Sequence, residues 1–241
     1  LAVASDCHLY HLAKMGQTSS SGVKAHMETA QKTGALVLSN RKLNEVPDLS
    51  AVIKVLRTLD LSSNKLPALP SSVCDLSNLK HLNVNNNKIN SLPDDLGKLT
   101  KLESLSLSSN SVISLPQSLS DLKHLKSVIM SDNQITEFPL CLCGLPQLDV
   151  VDLSGNQITN VPDGIEGLQA VEVNLNMNQI STISPSVAAC PRLKTLRLEE
   201  NCLSLAGVPF ELLTDSNVSL LCMDGNLFQM KEFEETEGYA K

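Results

Sequence analysis

Asparagine recurs at Asn64, Asn87, Asn110, Asn133, Asn156, Asn178 and Asn201, in steps of 23, 23, 23, 23, 22 and 23 residues. Each stands in the frame Leu-x-x-Leu-x-Leu-x-x-Asn-x-Leu, with other aliphatic residues at some Leu positions. A weaker copy ends at Asn226, 25 residues on, and another carries Arg41 in the Asn place, 23 residues before Asn64. A period of this length makes each unit one supersecondary element that cannot bury its apolar face alone, so neighbouring units must stack.

Within one unit, Leu105 and Leu107 alternate with polar neighbours, the period-two pattern of a short strand with one buried face. Strands of successive units then stack in parallel, about 4.8 Å apart. The amide of Asn110 can both donate and accept inside the turn that closes the strand, meeting backbone groups turned away from water. The column Asn64, Asn87, Asn110, Asn133, Asn156, Asn178, Asn201 and Asn226 therefore reads as a structural hydrogen-bonded ladder.

The second half of each unit is equally regular. Leu69-Pro70, Leu92-Pro93, Leu115-Pro116, Phe138-Pro139 and Val161-Pro162 follow their Asn by five and six residues, and Val46-Pro47 does so after Arg41. Proline fixes φ and removes a donor, which suits the segment where the chain leaves the sheet. Leucines follow at helix-like spacing, as in Leu96, Leu99 and Leu102. Three departures stand out: Ile183-Ser184 replaces Leu-Pro, Val208-Pro209 arrives two residues late, and the unit ending at Asn178 is one residue short. The irregular segments near Ile183 and Gly207 are expected on the convex side, outside any strand.

This frame resembles the leucine-rich repeat family, and the Leu-Pro-x-x-Leu-x-x-Leu half resembles its intracellular adaptors. The resemblance implies an α/β solenoid: a horseshoe with a parallel β-sheet on the concave face and irregular or helical convex segments. The organisation read from the sequence is an upstream extension (1–14), a lead with a lipidation signal and capping helix (15–33), an array of about nine repeats (34–229), and a terminal cap and tail (230–241).

No apolar run approaches the length of a membrane span. A net charge of −7 without a basic stripe, and only four Phe, two Tyr and no Trp, argue against nucleic acid as the ligand. The seven cysteines are odd in number and scattered, unlike a disulfide framework, and no cysteine cluster caps either end; the chain is expected in the cytoplasm. Cys141-Leu-Cys143 lacks a matching pair of metal ligands and reads as apolar packing, so no metal is expected. The sequence holds no Ser/His/Asp grouping, Gly-rich phosphate loop or metal-spaced cluster, so neither enzymatic activity, a cofactor nor a small-molecule substrate is expected.

At the start of the array Val23, Met27 and Ala30 recur at i, i+4 and i+7, and Gly34 follows as a helix stop, the pattern of a capping helix. At the far end Met230 and Phe233 can close the core, with Glu232, Glu234, Glu235 and Glu237 toward solvent. Met15-Gly16-Gln17-Thr18-Ser19-Ser20 fits Met-Gly-x-x-x-Ser/Thr, which marks Gly16 for myristoylation if Met15 initiates the chain. The segments Ala25–Gly34, Arg192–Cys202 and Asp224–Phe228 are similar to small intracellular members of the family that carry an N-terminal myristoyl glycine. That similarity implies a peripheral lipid anchor at the membrane and supplies no defined biochemical activity. Lys24 and Lys32 are the only basic residues near Gly16 on its downstream side, a poor second membrane signal.

With the leucines pointing inward, the intervening residues line the concave face. One column reads Val37, Asp60, Asn83, Ser106, Ile129, Asp152, Asn174, Arg197 and Cys222. The other reads Ala35, Thr58, His81, Ser104, Ser127, Val150, Glu172, Thr195 and Leu220. Ile129 and Val150 are apolar where water is expected; they mark a contact site or are singly exposed aliphatics that need no explanation. Asp132, Asp152, Glu172, Glu199, Glu200 and Asp224 bias the later repeats acidic around Arg197, which would steer a basic partner segment or simply solvate the face. The leading function is a protein-interaction scaffold with an unidentified protein partner and a membrane attachment through myristate. The alternative is a regulatory subunit that holds a phosphatase or small GTPase on the concave face.

Overall fold

The structure, a computed structural model, describes residues 20–235. Gly16, the 1–14 segment and the tail beyond 235 lie outside the described residues.

Helix α1 (Ser20–Thr33) opens the fold. Ala30 is fully buried, and Val23 and Met27 pack partly buried against the same core, so the i, i+4, i+7 stripe covers the first repeat. Gly34, at φ +74°, ends the helix and donates its N–H to Ala30 O at 2.8 Å. A Cβ there would lie 2.9 Å from Val55 O, so conformation and space both call for glycine.

Nine three-residue strands follow, one per repeat, in a single parallel sheet. They are β1 (Ala35–Val37), β2 (Thr58–Asp60), β3 (His81–Asn83), β4 (Ser104–Ser106), β5 (Ser127–Ile129), β6 (Val150–Asp152), β8 (Glu172–Asn174), β10 (Thr195–Arg197) and β11 (Leu220–Cys222). Registers are identical from pair to pair: first residue faces first and third faces third, from Ala35 opposite Thr58 to Arg197 opposite Cys222. The middle residues Leu36, Leu59, Leu82, Leu105, Val128, Val151, Val173 and Leu196 are buried, while the residues that flank them face outward. The inter-strand bonding runs two steps past each strand. Leu107 and Ser109, for example, donate to Ile129 O and Ser131 O at 2.8 and 2.9 Å.

The ladder asparagines sit where the chain turns in from the sheet. Asn133 donates through Nδ2 to Leu107 O (3.0 Å) in the preceding repeat and to Met130 O (3.1 Å) and Ser131 O (3.1 Å) in its own. Its Oδ1 accepts from Val112 N–H at 3.0 Å, again in the preceding repeat. Asn64, Asn87, Asn110, Asn156, Asn178 and Asn201 repeat this pattern, as at Asn64 with Leu38 O and Leu61 O. Asn226 keeps the contacts to Leu198 O and Met223 O and accepts from Leu203 N–H. Within the described residues no buried side-chain nitrogen or oxygen lacks a partner.

On the convex side the leucine spacing gives 3₁₀ turns rather than α-helices in most repeats, for instance Ser71–Asp75, Asp94–Lys98 and Gln117–Asp121. Pro70, Pro93 and Pro116 precede them at φ −71°, −65° and −68°, the values the proline ring imposes. The turns pack closely enough that a Cβ on Gly97 would lie 2.3 Å from Ser118 O. Gly207 ends such a turn, Leu205–Gly207, outside any strand as expected. Ile183 does not follow the expectation of an irregular loop. It lies in a two-residue strand, β9 (Thr182–Ile183), paired in parallel with β7 (Asn160–Val161) in a second, small sheet. The cause is the missing proline: Ser184, in its place, keeps an N–H and donates it to Val161 O at 2.9 Å.

At the far end α2 (Phe210–Thr214) covers the convex side and α3 (Met230–Glu234) closes the core. Phe233 of α3 is 3% exposed and stacks tilted on Phe228, 5.5 Å between ring centres. Among the described residues no helix is long and apolar enough to cross a membrane.

Removing the Asn133 amide leaves Val112 N–H of the preceding repeat without its acceptor, while Leu107 O, Met130 O and Ser131 O each keep one other donor. Asn133→Ala is expected to lose on the order of 1–3 kcal/mol in urea unfolding. Thr136→Ala, exposed on the next turn, should stay within about 0.5 kcal/mol of the parent.

Candidate protein-binding face

The first and third residues of each strand form the two concave columns, with the register the sequence implies. Ile129 and Asp152 are partners across β5 and β6, and Val150 of β6 stands between Ser127 and Glu172. Ile129 and Val150 therefore lie on adjacent strands at diagonal positions of the register rather than opposite one another. Both are half-buried, which corrects the reading of them as openly exposed. The more exposed aliphatics of the face stand on its outermost strands, Val37 at 47% and Leu220 at 45%.

The charged residues of the face are partly engaged. Arg197 Nε lies 3.3 Å from Glu172 Oε1 across β10 and β8, an ion pair with both side chains open to solvent and of small energetic weight. Asp152 Oδ1 accepts from Ser154 N–H at 3.0 Å and from Ser154 Oγ at 2.7 Å. Asp60, Asn83 and Asn174 accept in the same way from the N–H two residues on. This second column of turn-forming acceptors was hidden in the sequence by its mixture of Asp and Asn. Glu199 accepts from Asn176 Nδ2 at 2.6 Å and returns its own N–H to Asn176 Oδ1. Asp132, Glu200 and Asp224 are exposed on the turns that follow their strands.

A further column occupies the position just before each ladder residue. Asn40, Ser63, Asn86, Ser109, Asp132, Met177 and Glu200 all adopt φ near +55°. Met177 departs from the small or polar types of this column and stands 57% exposed there. Gly155 and Gly225 complete the column at φ +65° and +77°, and with Asn40, Asn86 and Asp132 they are types that favour the left-handed region, whereas Met177 and Glu200 carry no such signal.

Along the rim where the chain enters the strands, Glu103 takes Lys80 Nζ at 2.6 Å and Lys126 Nζ at 2.9 Å, one from the repeat on each side. Hydrogen bonds from Lys80 and then Lys126 hold its carboxyl down at about 2. Elsewhere, burial pushes the thiols of Cys141 and Cys143 up to about 11 and that of Cys190 to about 12. These groups stay protonated near neutrality and behave as apolar packing. No group of three or more His, Cys, Asp or Glu placed to hold a metal occurs among the described residues.

Comparison with known proteins agrees with this geometry. Residues 26–112 match the family described as a leucine-rich repeat region, and residues 123–167 match a family of leucine-rich repeats in two copies. A leucine-rich repeat protein of Leptospira interrogans superposes with a TM-score of 0.72 at 26% identity, over 84% of this chain and 58% of that one. The leucine-rich repeat ectodomain of a membrane receptor kinase from Arabidopsis thaliana, solved with Casparian strip integrity factor 2, gives 0.66 at 25% identity, over 79% of this chain and 26% of that one. Internalin C2 of Listeria monocytogenes shares the fold, with a TM-score of 0.66 at 19% identity over 82% and 83% of the two chains. The chain thus spans less than two thirds of the length of the first two.

The Glu103 carboxylate contributes stability that is present above its ordinary value of 4.5 and is lost as pH falls toward 2. Melting curves of the parent and Glu103→Gln should therefore differ most near neutral pH and converge as pH drops through that window. The repeats, the ladder and the parallel sheet together establish that this chain belongs to the leucine-rich repeat proteins.

Proposed function

We propose that this chain is a non-enzymatic interaction scaffold, cytoplasmic and held reversibly at a membrane by myristate on Gly16. Its protein partner docks on the concave face at β5, β6, β8 and β10. The observation that carries the reading is the register, which sets Ile129, Val150, Asp152, Glu172 and Arg197 on four consecutive strands of one face. Half-buried aliphatics give the partner apolar surface to cover, and the surrounding carboxylates favour a basic segment. The Arabidopsis ectodomain solved in complex with Casparian strip integrity factor 2, and a plant peptide hormone receptor of similar fold solved in complex with RGF2, support binding of such ligands by arrays of this kind.

The lipid proposal rests on Met15-Gly16-Gln17-Thr18-Ser19-Ser20. One myristoyl chain binds bilayers only marginally, with an association constant of about 10⁴ M⁻¹, so the attachment is exchangeable.

Affinity capture from cell extract should separate the face from the rest of the surface. The double variant Ile129→Arg/Val150→Arg is expected to lose the specific partner by tenfold or more (about 1.4 kcal/mol), while Thr136→Arg retains it. Equal recovery by both variants would remove the partner from this face. Mass spectrometry of the chain initiated at Met15 and co-expressed with the acylating enzyme should place myristate on Gly16. An unmodified glycine would leave a scaffold without the lipid.

A further inference from the structure

Charge is distributed unevenly along the array. Residues 20–101 hold eleven Lys and Arg against seven Asp and Glu, a net +4, whereas residues 102–235 hold six against seventeen, a net −11. Between Lys126 and Arg192 there is no basic residue at all. The fold concentrates the positive excess further, which corrects the expectation that no basic stripe exists. Lys32, Lys54, Arg57, Lys80 and Lys101 line one open depression of about 620 Å³ beside the end of α1, and no Asp or Glu lines it.

Backbone geometry holds these residues of successive repeats together. Gly34 O accepts from Arg57 N–H at 2.7 Å, and Arg57 O accepts from Lys80 N–H at 2.8 Å, so the cations follow the strand-to-strand spacing along the rim. Asn78 ties the outer pair: its Nδ2 donates to Lys54 O at 2.8 Å and its Oδ1 accepts from Lys101 Nζ at 2.6 Å. Lys32, Lys54, Arg57 and Lys101 are exposed and make no ion pair with any described residue, while Lys80 is shared with Glu103. Four uncompensated cations crowded on one rim repel one another, a cost relieved by an anionic partner.

We propose that this basic depression is a docking surface for an anionic membrane. The depression is wide and open, and flexible lysines predominate over the planar forks that read a single carboxylate or phosphate. It suits a diffuse layer of negative headgroups. The charge gradient adds direction: an anionic bilayer attracts the capped end, repels the acidic repeats, and leaves the acidic part of the concave face pointing toward the cytoplasm. The inference builds on the lipid-anchor reading above, since the chain enters α1 at Ser20, four residues after Gly16. Helix α1, 14 residues and about 21 Å long, would then lie between two attachments, the lipid at its start and the cations at its end. The cluster supplies the second signal that a single myristoyl chain lacks.

The test uses the full chain without lipid, so that failure of the patch and failure of myristoylation are read separately. Sedimentation with phosphatidylcholine vesicles containing phosphatidylserine should capture the chain at low salt, and pure phosphatidylcholine vesicles should not. Each cation near such a surface is worth roughly fivefold in binding, so Lys32→Ala/Lys54→Ala/Lys101→Ala should weaken it by about a hundredfold. Lys123→Ala/Lys194→Ala/Lys231→Ala, with the same change in net charge, should retain most of it, and circular dichroism should show both variants folded. Equal losses in the two triple variants, capture by neutral vesicles, or no capture by anionic ones would overturn the proposal. So would tighter binding to a soluble polyglutamate peptide than to the anionic vesicles.

Discussion

The hydrogen bonds of the asparagine side chains are the constraint on which the rest of this structure depends. Each short strand turns inward after three residues, and the carbonyl that follows it into the interior, such as Met130 O or Leu153 O, has no backbone partner in the sheet, unlike Ser154 O, which accepts from Asp132 N–H. The Asn156 amide answers this with contacts to Met130 O, Leu153 O and Ser154 O while accepting from Ile135 N–H. Half of that set lies in the preceding repeat, so the side chain that completes one turn also fixes its neighbour. Only an amide of this length offers two donors and an acceptor at one point. Stability in such an array is a sum of units and of nearest-neighbour interfaces, and the ladder adds side-chain hydrogen bonds to the backbone bonds of the sheet at these interfaces.

Because the ladder fixes one register throughout, it also fixes what the concave face can present. First and third strand residues become continuous columns, and chemistry placed at these positions in distant repeats is brought side by side. The same regularity limits the face. Asp152 and its counterparts Asp60, Asn83 and Asn174 give acceptor capacity to the turn that follows, so part of the acidity seen from outside belongs to the scaffold. Glu172 is half-engaged by Arg197 in the same way. What stays outside these contacts is half-buried Ile129 and Val150 and the exposed carboxylates of Asp132, Glu200 and Asp224.

The features legible in the sequence are those written as a local pattern. The Asn frame, the leucine alternation, the Val23, Met27 and Ala30 stripe and the Gly34 stop each depend on residues a few positions apart, and each appears in the fold as an element or contact. The features not legible depend on what the solenoid brings together from separate repeats. Lys32, Lys54, Arg57, Lys80 and Lys101 are spread over some seventy positions; Arg57 and Lys80 share the 23-residue step, but the others stand at different places in their repeats, and only stacking makes them one cluster. The small sheet at Ile183 had a signal, the loss of a proline at Ser184, but its meaning required knowing that Val161 O lies opposite. The left-handed column is legible only in part: Gly155, Asn86 and Asp132 are types that favour it, whereas Met177 and Glu200 take a conformation that the turn imposes.

Native-state hydrogen exchange on Asn156→Ala tests the ladder most directly. Asn156 accepts from the amide of Ile135, 21 residues earlier and in the preceding repeat. If the asparagines couple adjacent repeats, the Ile135 amide should exchange about tenfold faster or more in the variant, while amides of β1 and β2 keep the parent's protection. Unchanged protection at Ile135, or a uniform loss across the whole array, would contradict a ladder acting between nearest neighbours.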